Sequence, residues 1–262
     1  MESALEEIEF LALSPNRVET LRRLAESAHT RRELVEATGA SQPTLGRILS
    51  DFADRGWVER EGSDYRATVT GRLVSRGLDD LIDILEADAD LRPVVEWLPS
   101  EAIDFDLRHL TDATITTPTR VRPNAPVGRA VDLLSDAETV RVVSYALNEG
   151  SLDVIAERTT AGTQTFEGVV SADAVDAIAD DSQLRGRLRD LLGAADAEMR
   201  VVTEPIPVAA TVADDVVHLF LRDESGILRA SLDVAHADVR AWAIDLFERY
   251  WSVGEPLTAD EV

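Results

Sequence analysis

Apolar positions recur with two different rhythms along this chain, and the change of rhythm near residue 92 divides it. In the first part the spacing is helical. Val18, Leu21, Leu24 and Ala25 follow Asn16, a residue suited to an N-cap, and predict a helix to about Ser27. Thr30-Arg-Arg-Glu33 has the form of a capping box and predicts a short helix carrying Leu34 and Val35 to Thr38, closed by Gly39 as a left-handed C-cap. Ser41 caps a third helix whose Leu45, Ile48, Leu49 and Phe52 fall at i, i+3, i+4 and i+7 and fix its buried face. Gly56 stops that helix, and residues 57–69 read as two short strands around Gly62-Ser63-Asp64. Leu5, Ile8 and Leu11, with Phe10 beside them, form a short stripe ahead of this unit. Behind it Thr70 caps a long helix in which Leu73, Val74, Leu78, Leu81, Ile82 and Leu85 recur every 3.6 residues, ending in acids before Pro93.

From Arg92 onward strands and helices alternate. Strands are predicted at residues 139–145, 164–170, 198–203, 208–212, 216–221 and 227–232. Helices fall at 151–160, through 171–192 with a break at Asp181-Ser182, and at 236–251, where Val239, Trp242, Ala243, Leu246, Phe247 and Tyr250 share one face. The fold class is α/β overall: an N-terminal winged helix-turn-helix (residues 1–69), a linking helix able to mediate dimerisation (70–92), and a C-terminal α/β mixed-sheet, sensor-like domain (93–262).

Charge gives the first part a role. Residues 17–76 hold 11 of the 26 basic residues and 9 of the 50 acids, so this window carries 11 − 9 = +2 and the rest 15 − 41 = −26. Opposite the buried face of the third helix lie Gln42, Thr44, Arg47 and Asp51, where a recognition helix meets the major groove; Arg and Gln there can bond guanine and adenine edges. Thr30, Arg31 and Ser41 flank that helix. Arg60 and Arg66 lie on opposite sides of the wing turn, where they can straddle a phosphate backbone. All of these except Asp51, eight residues, are the expected DNA contacts, and double-stranded promoter or operator DNA the expected partner. Palindromic recognition favours a homodimer. The alternative is a winged-helix protein-interaction adaptor without direct DNA readout, because the window is only mildly basic.

All 26 basic residues are arginine, and the net charge is −24. Such a surface suits multimolar cytoplasmic salt, in which crowded carboxylates stay hydrated and their repulsion is screened over about 3 Å at 1 M. A GC-rich mesophilic genome would account for arginine over lysine but not for the excess of acid, so the chain reads as that of a salt-in halophile. Salt then constrains binding: neutralising four phosphates with ordinary counterion release would cost roughly 10³ to 10⁴ in affinity per tenfold salt increase.

Several chemistries are excluded. The chain has no cysteine, so it has no disulfide or thiolate metal site. Without lysine there is no Walker-type Gly-Lys-Ser/Thr loop, no Schiff base, and no His-x-Lys motif of the phospholipase-D kind. His29, His109, His218 and His236 are scattered without ligand spacing, and the acid pairs Asp79-Asp80, Asp180-Asp181 and Asp214-Asp215 suit a halophilic surface. No catalytic residue, metal site or cofactor is expected. No apolar run approaches 18 residues and the N-terminus is acidic, so a cytoplasmic location without membrane contact is expected.

Both parts resemble archaeal winged helix-turn-helix transcriptional regulators, especially haloarchaeal ones whose second domain is related to the middle domain of the methanogenesis regulatory protein. The second-domain resemblance lies in Leu107-Arg-His-Leu-Thr-Asp-Ala-Thr-Ile-Thr-Thr-Pro118, Val143-Ser-Tyr-Ala-Leu-Asn-Glu-Gly150, the turn at residues 223–228 and the helix at 241–251. It implies a second domain that senses a ligand or mediates assembly. In open α/β sheets ligands lie beyond the carboxyl ends of strands, which makes Ser144, Tyr145, Asn148, Ser171, Thr203 and Glu204 the expected contacts of a small-metabolite effector. In the competing reading Tyr145 is core and Asn148 caps the next turn.

Overall fold

The computed structural model describes residues 1–178 and 181–262; Ala179 and Asp180, and with them half of the Asp180-Asp181 pair, lie outside the described residues. Two compact units, Met1–Glu86 and Ala87–Val262, divide the chain.

The first unit contains α1 (Glu2–Ala12), α2 (Pro15–Glu26), β1 (His29–Thr30), α3 (Arg31–Thr38), α4 (Gln42–Asp54), β2 (Val58–Glu61), β3 (Asp64–Ala67) and most of α5 (Val69–Leu91). Leu21, Leu24, Leu34, Leu45, Ile48, Leu49, Phe52, Trp57 and Val58 are buried together as its core. Thr30 makes the capping box that its sequence predicts, Gly39 is left-handed at φ 67°, and Ser41 Oγ accepts from Thr44 N. Two helix starts differ from expectation. Ser14 stands at the N-cap of α2 and Asn16 lies inside the helix, because Pro15, with its fixed φ and no N–H, is pre-set for the first helical position. At α5 the cap is Thr68, not Thr70: Thr68 Oγ1 accepts from Gly71 N at 3.1 Å, while both threonine hydroxyls donate to Gly56 O. β1 was not foreseen; it pairs with β3 to make a sheet of order β1-β3-β2.

The second unit is an eight-stranded sheet formed by β4 (Thr114–Thr116), β5 (Thr139–Ser144), β6 (Thr165–Ser171), β7 (Ala197–Val202), β8 (Ala209–Ala213), β9 (Val216–Arg222), β10 (Leu228–Val234) and β11 (Glu255–Pro256), in the order β11-β7-β6-β5-β8-β9-β10-β4. β5, β6 and β7 run parallel; the other pairings are antiparallel. Helices α6 (Ala125–Asp136), α7 (Glu149–Thr160), α8 (Ala172–Asp176), α9 (Ser182–Leu192) and α10 (Ala237–Val253) cover it. Alternation along the strands feeds two cores: Val143, Val169 and Val202 join α10, whereas Phe166, Val170 and Met199 join α7 and α9. α6 and the short edge strands β4 and β11 were not foreseen.

Candidate nucleic-acid interface and sensor cleft

The recognition face is built from the caps inward. Because Leu45, Ile48, Leu49 and Phe52 are buried, helical periodicity turns Gln42, Thr44 and Arg47 outward, and all three are exposed. Arg47 has no hydrogen-bond or ion-pair partner among the described residues. Ser41 Oγ bonds the Thr44 hydroxyl at 2.8 Å, and the Thr30 hydroxyl bonds Glu33 at 2.9 Å, so Ser41 and Thr30 are occupied as caps. Arg31 Nη2 donates to Gln42 O at 2.5 Å across the first turn of α4. Its guanidinium lies where a side chain at position 46 would go: a Cβ built on Gly46 would sit 2.4 Å from Arg31 Nη2. Arg31 thus braces α3 against α4. The sequence signal for that brace was a mid-helix glycine, which costs about 1 kcal/mol relative to alanine and needs a packing reason.

The wing differs from the expected pair of phosphate clamps. Cross-strand partners share a face, and the register pairs Arg60 with Tyr65 and Glu59 with Arg66, so the two arginines point to opposite faces of the hairpin. Arg66 is held by Glu59 at 2.8 Å and Glu61 at 2.7 Å, and the Glu59 bond raises its pKa further. Its face carries Glu59, Glu61, Asp64 and Arg66, or 1 − 3 = −2. Arg60 donates to Gly62 O at 2.8 Å and lies 5.4 Å from the Tyr65 ring centre.

In the second unit the predicted effector contacts do not meet at one place. Tyr145 lines an open cleft of about 520 Å³ together with Trp97, Phe220, Arg222 and Glu224. Burial pushes the Tyr145 phenol above its ordinary value, with Arg222 opposing. Ser144 and Asn148 line a separate apolar cavity of about 50 Å³, too small for a metabolite. Ser144 Oγ donates to Ala146 O and Asn148 Oδ1 accepts from Ser151 N, capping α7. Ser171 caps α8. Thr203 and Glu204 are exposed beyond β7 and line neither space. Trp97, Phe220 and Arg222 were not singled out in sequence, because they come from a 3₁₀ turn and an antiparallel strand rather than from the ends of the parallel strands.

Several other polar groups have structural partners. Asp79 pairs with Arg22 at 2.5 Å. Asp214, with φ 51°, accepts from Thr139 N at 2.9 Å and so holds the β8–β9 turn to the start of β5. His218 Nδ1 bonds Asp233 at 2.6 Å, and Arg129 bonds the other carboxylate oxygen at 2.5 Å, in a cluster where His218 is 1% exposed. Two of the histidines expected to stand apart are brought together: the rings of His109 and His236 stack at 4.0 Å.

A capped helix with an exposed polar face in a winged helix-turn-helix, joined in one chain to an α/β domain, is an architecture suited to a DNA-binding transcription regulator. Residues 5–90 match the HVO_A0261 N-terminal domain, and residues 123–253, half of the chain, match the middle domain of the methanogenesis regulatory protein FilR1. The chain belongs to the FilR1 middle-domain family. Among curated proteins nothing matches. Solved structures with some likeness include TrmBL2, described as an archaeal chromatin protein with a novel mode of DNA binding, at 14% identity over 95% of this chain and 98% of that one, with a TM-score of 0.43. Nuc from Salmonella typhimurium, a phospholipase D family member, is similar at 10% identity over 56% of this chain and 99% of its own, with a TM-score of 0.44. Both likenesses are distant, and the family assignment rests on the domain matches.

Proposed function

We propose that the chain is a sequence-specific regulator that binds promoter DNA through α4, and that its second domain modulates this binding. The observation that carries the reading is Arg47, an exposed arginine with no partner among the described residues, on a helix whose N-terminus is fixed by Ser41 and braced by Arg31. Gln42, Thr44 and Arg47 read base edges; Thr30, Ser41 and Arg31 hold the helix in its pose and offer secondary phosphate contacts. Arg60 and Arg66 contribute less, since intramolecular bonds occupy both. A small-metabolite effector binds in the cleft at Tyr145 rather than across all six residues first expected, and the protein works as a homodimer in the cytoplasm of a halophile. No catalytic role is assigned. One observation favours the adaptor alternative: the outward face of the wing is net negative, which suits a basic protein partner better than a phosphate backbone.

Genome-wide mapping of bound DNA with the wild type and Arg47→Ala separates these readings. Discrete promoter peaks lost in the variant support the regulator, and peaks absent from both overturn it in favour of the adaptor. Binding to the best site in about 2 M KCl then gives the affinity change, a loss of about 1 to 3 kcal/mol if Arg47 reads a base pair.

A further inference from the structure

His109 lies in the 3₁₀ turn Leu107–Leu110 and His236 is the N-cap of α10, yet their rings stack with an interplanar angle of 13°. Asp238, in the first turn of α10, completes a cluster in which one donor atom from each residue lies within 4.8 Å of the others. His109 Nδ1 is buried and has no hydrogen-bond partner among the described residues. It lies 3.5 Å from Asp238 Oδ2. That gap is longer than the roughly 2.7 to 3.2 Å of a hydrogen bond. It matches instead the separation of two ligands on one ion: bonds of about 2.0 to 2.1 Å meeting at a tetrahedral angle leave their donors about 3.4 Å apart.

We propose that His109, His236 and Asp238 form a binding site for one divalent transition-metal ion of the zinc class. Two imidazole nitrogens and one carboxylate oxygen, with the remaining positions open to water, suit Zn²⁺, Co²⁺ or Ni²⁺ and suit Mg²⁺ or Ca²⁺ poorly, because the latter take oxygen ligands. In the metal-free chain His236 Nδ1 accepts from Asp238 N at 3.2 Å, so the ring proton sits on Nε2; ligation gives up that long cap bond, either by placing Nδ1 on the ion or by moving the proton to Nδ1 and freeing Nε2. Ligation turns the two rings out of their parallel stack, a movement open to His236, whose side chain is 41% exposed. The Asp238 carboxylate offsets the positive end of the α10 dipole, which would otherwise oppose a cation there. The bound ion staples residues 107–110 to the first turn of α10, within one unit. The site stands whether or not the chain binds DNA.

The test uses the full chain stripped with chelator in about 2 M KCl, the salt at which surface carboxylates compete least for cations. Wild type is titrated with Co²⁺, followed by the visible d–d bands of a low-symmetry site, and with Zn²⁺ by calorimetry. Two variants keep the local structure: His109→Phe retains the stacked ring, and His236→Asn retains an N-cap acceptor. One equivalent bound by the wild type, with affinity falling at least about tenfold in each variant, supports the site, as does a Zn²⁺-dependent rise in melting temperature that both variants lose. Equal affinity in wild type and both folded variants, or binding without d–d bands, assigns the ions to surface carboxylates and overturns it. Circular dichroism without metal checks that the variants fold, and Asp238→Asn serves as a third ligand deletion should either fail.

Discussion

Replacing Gly71 by alanine ought to help α5, since alanine in a helix interior is better than glycine by about 0.8 to 1 kcal/mol. The packing reverses the sign. A Cβ built at Gly71 would sit 2.0 Å from the Trp57 carbonyl oxygen, 2.8 Å from its carbon and 3.1 Å from its Cα. These are backbone atoms at the base of the wing, so no side chain can swing aside. Restoring an ordinary C···O separation of about 3.3 Å requires a shift of about 1.3 Å. That shift would pull apart the Thr68 N to Trp57 O bond of 2.9 Å and the Thr68 and Thr70 bonds to Gly56 O. Backbone strain of about 1 to 3 kcal/mol and one or two weakened hydrogen bonds at about 0.5 to 1.5 kcal/mol each outweigh the helix gain, leaving about 0.5 to 5 kcal/mol of destabilisation. Gly77, in the same helix, has nothing among the described residues within 4 Å of its Cβ position, so Gly77→Ala should stabilise by about 0.5 to 1 kcal/mol. Urea denaturation of wild type and both variants at one fixed KCl concentration checks the pair. Gly71→Ala as stable as Gly77→Ala would mean that α5 does not pack against the wing base as described.

Three further outcomes are expected. Arg47→Ala should weaken DNA binding by about 1 to 3 kcal/mol while Arg66→Ala changes it little, as read by fluorescence anisotropy at fixed salt; equal losses would show that the Glu59 and Glu61 pairs release Arg66 on binding. Burial alone would raise the Asp233 carboxyl, but the bonds from His218 and Arg129 outweigh it and hold the pKa below the ordinary 3.8. Its stabilisation is therefore complete above that value and fades as pH falls through the lower folded value. Asp233→Asn should cost about 3 to 5 kcal/mol near neutral pH, with the gap to wild type narrowing in acid, and a gap independent of pH would refute this origin. Finally, melting temperature should climb from dilute buffer to molar KCl, because screening relieves the self-repulsion of a net charge of −24; greatest stability without salt would remove the halophile reading.

What could be read from sequence was what local physics decides. Thr30-to-Glu33 capping, the left-handed Gly39 and the four buried positions of α4 depend on neighbours within one helical turn, and each is present. The parallel strands and α10 were legible because apolar runs of the right length faced cores on one side or both. Side-chain pairing was not legible. Whether Arg66 faces a phosphate or Glu59 depends on the hairpin register, and one residue of slip would reverse its face. α6 was passed over because Pro123, Pro126 and Gly128 disguise its start, although its Ala130 and Leu134 are buried at helical spacing. The cleft drew only Tyr145 from the predicted set, since its other walls come from segments distant in the chain. The stacking of His109 on His236 is long-range in the same way.

The charge distribution bears on how such a regulator would hold DNA. A wing whose outward face is net negative gains nothing from counterion release and repels the backbone at low salt. In molar salt that repulsion is screened within about 3 Å, and the arginine–phosphate attraction on which less acidic proteins rely is screened equally. What would survive is short-ranged: the proposed hydrogen bonds from Gln42, Thr44 and Arg47 to base edges, made by a helix whose pose is fixed in advance. The Ser41 cap, the Arg31 brace over Gly46 and the close approach of Gly71 to Trp57 then act together. Each removes freedom from α4 or its support before DNA arrives, so less ordering entropy is lost on binding. On this argument the acidic surface and the rigid recognition unit are two parts of one solution, and loosening the brace, as Arg31→Ala would, should weaken specific binding more than non-specific binding even though Arg31 need not touch a base.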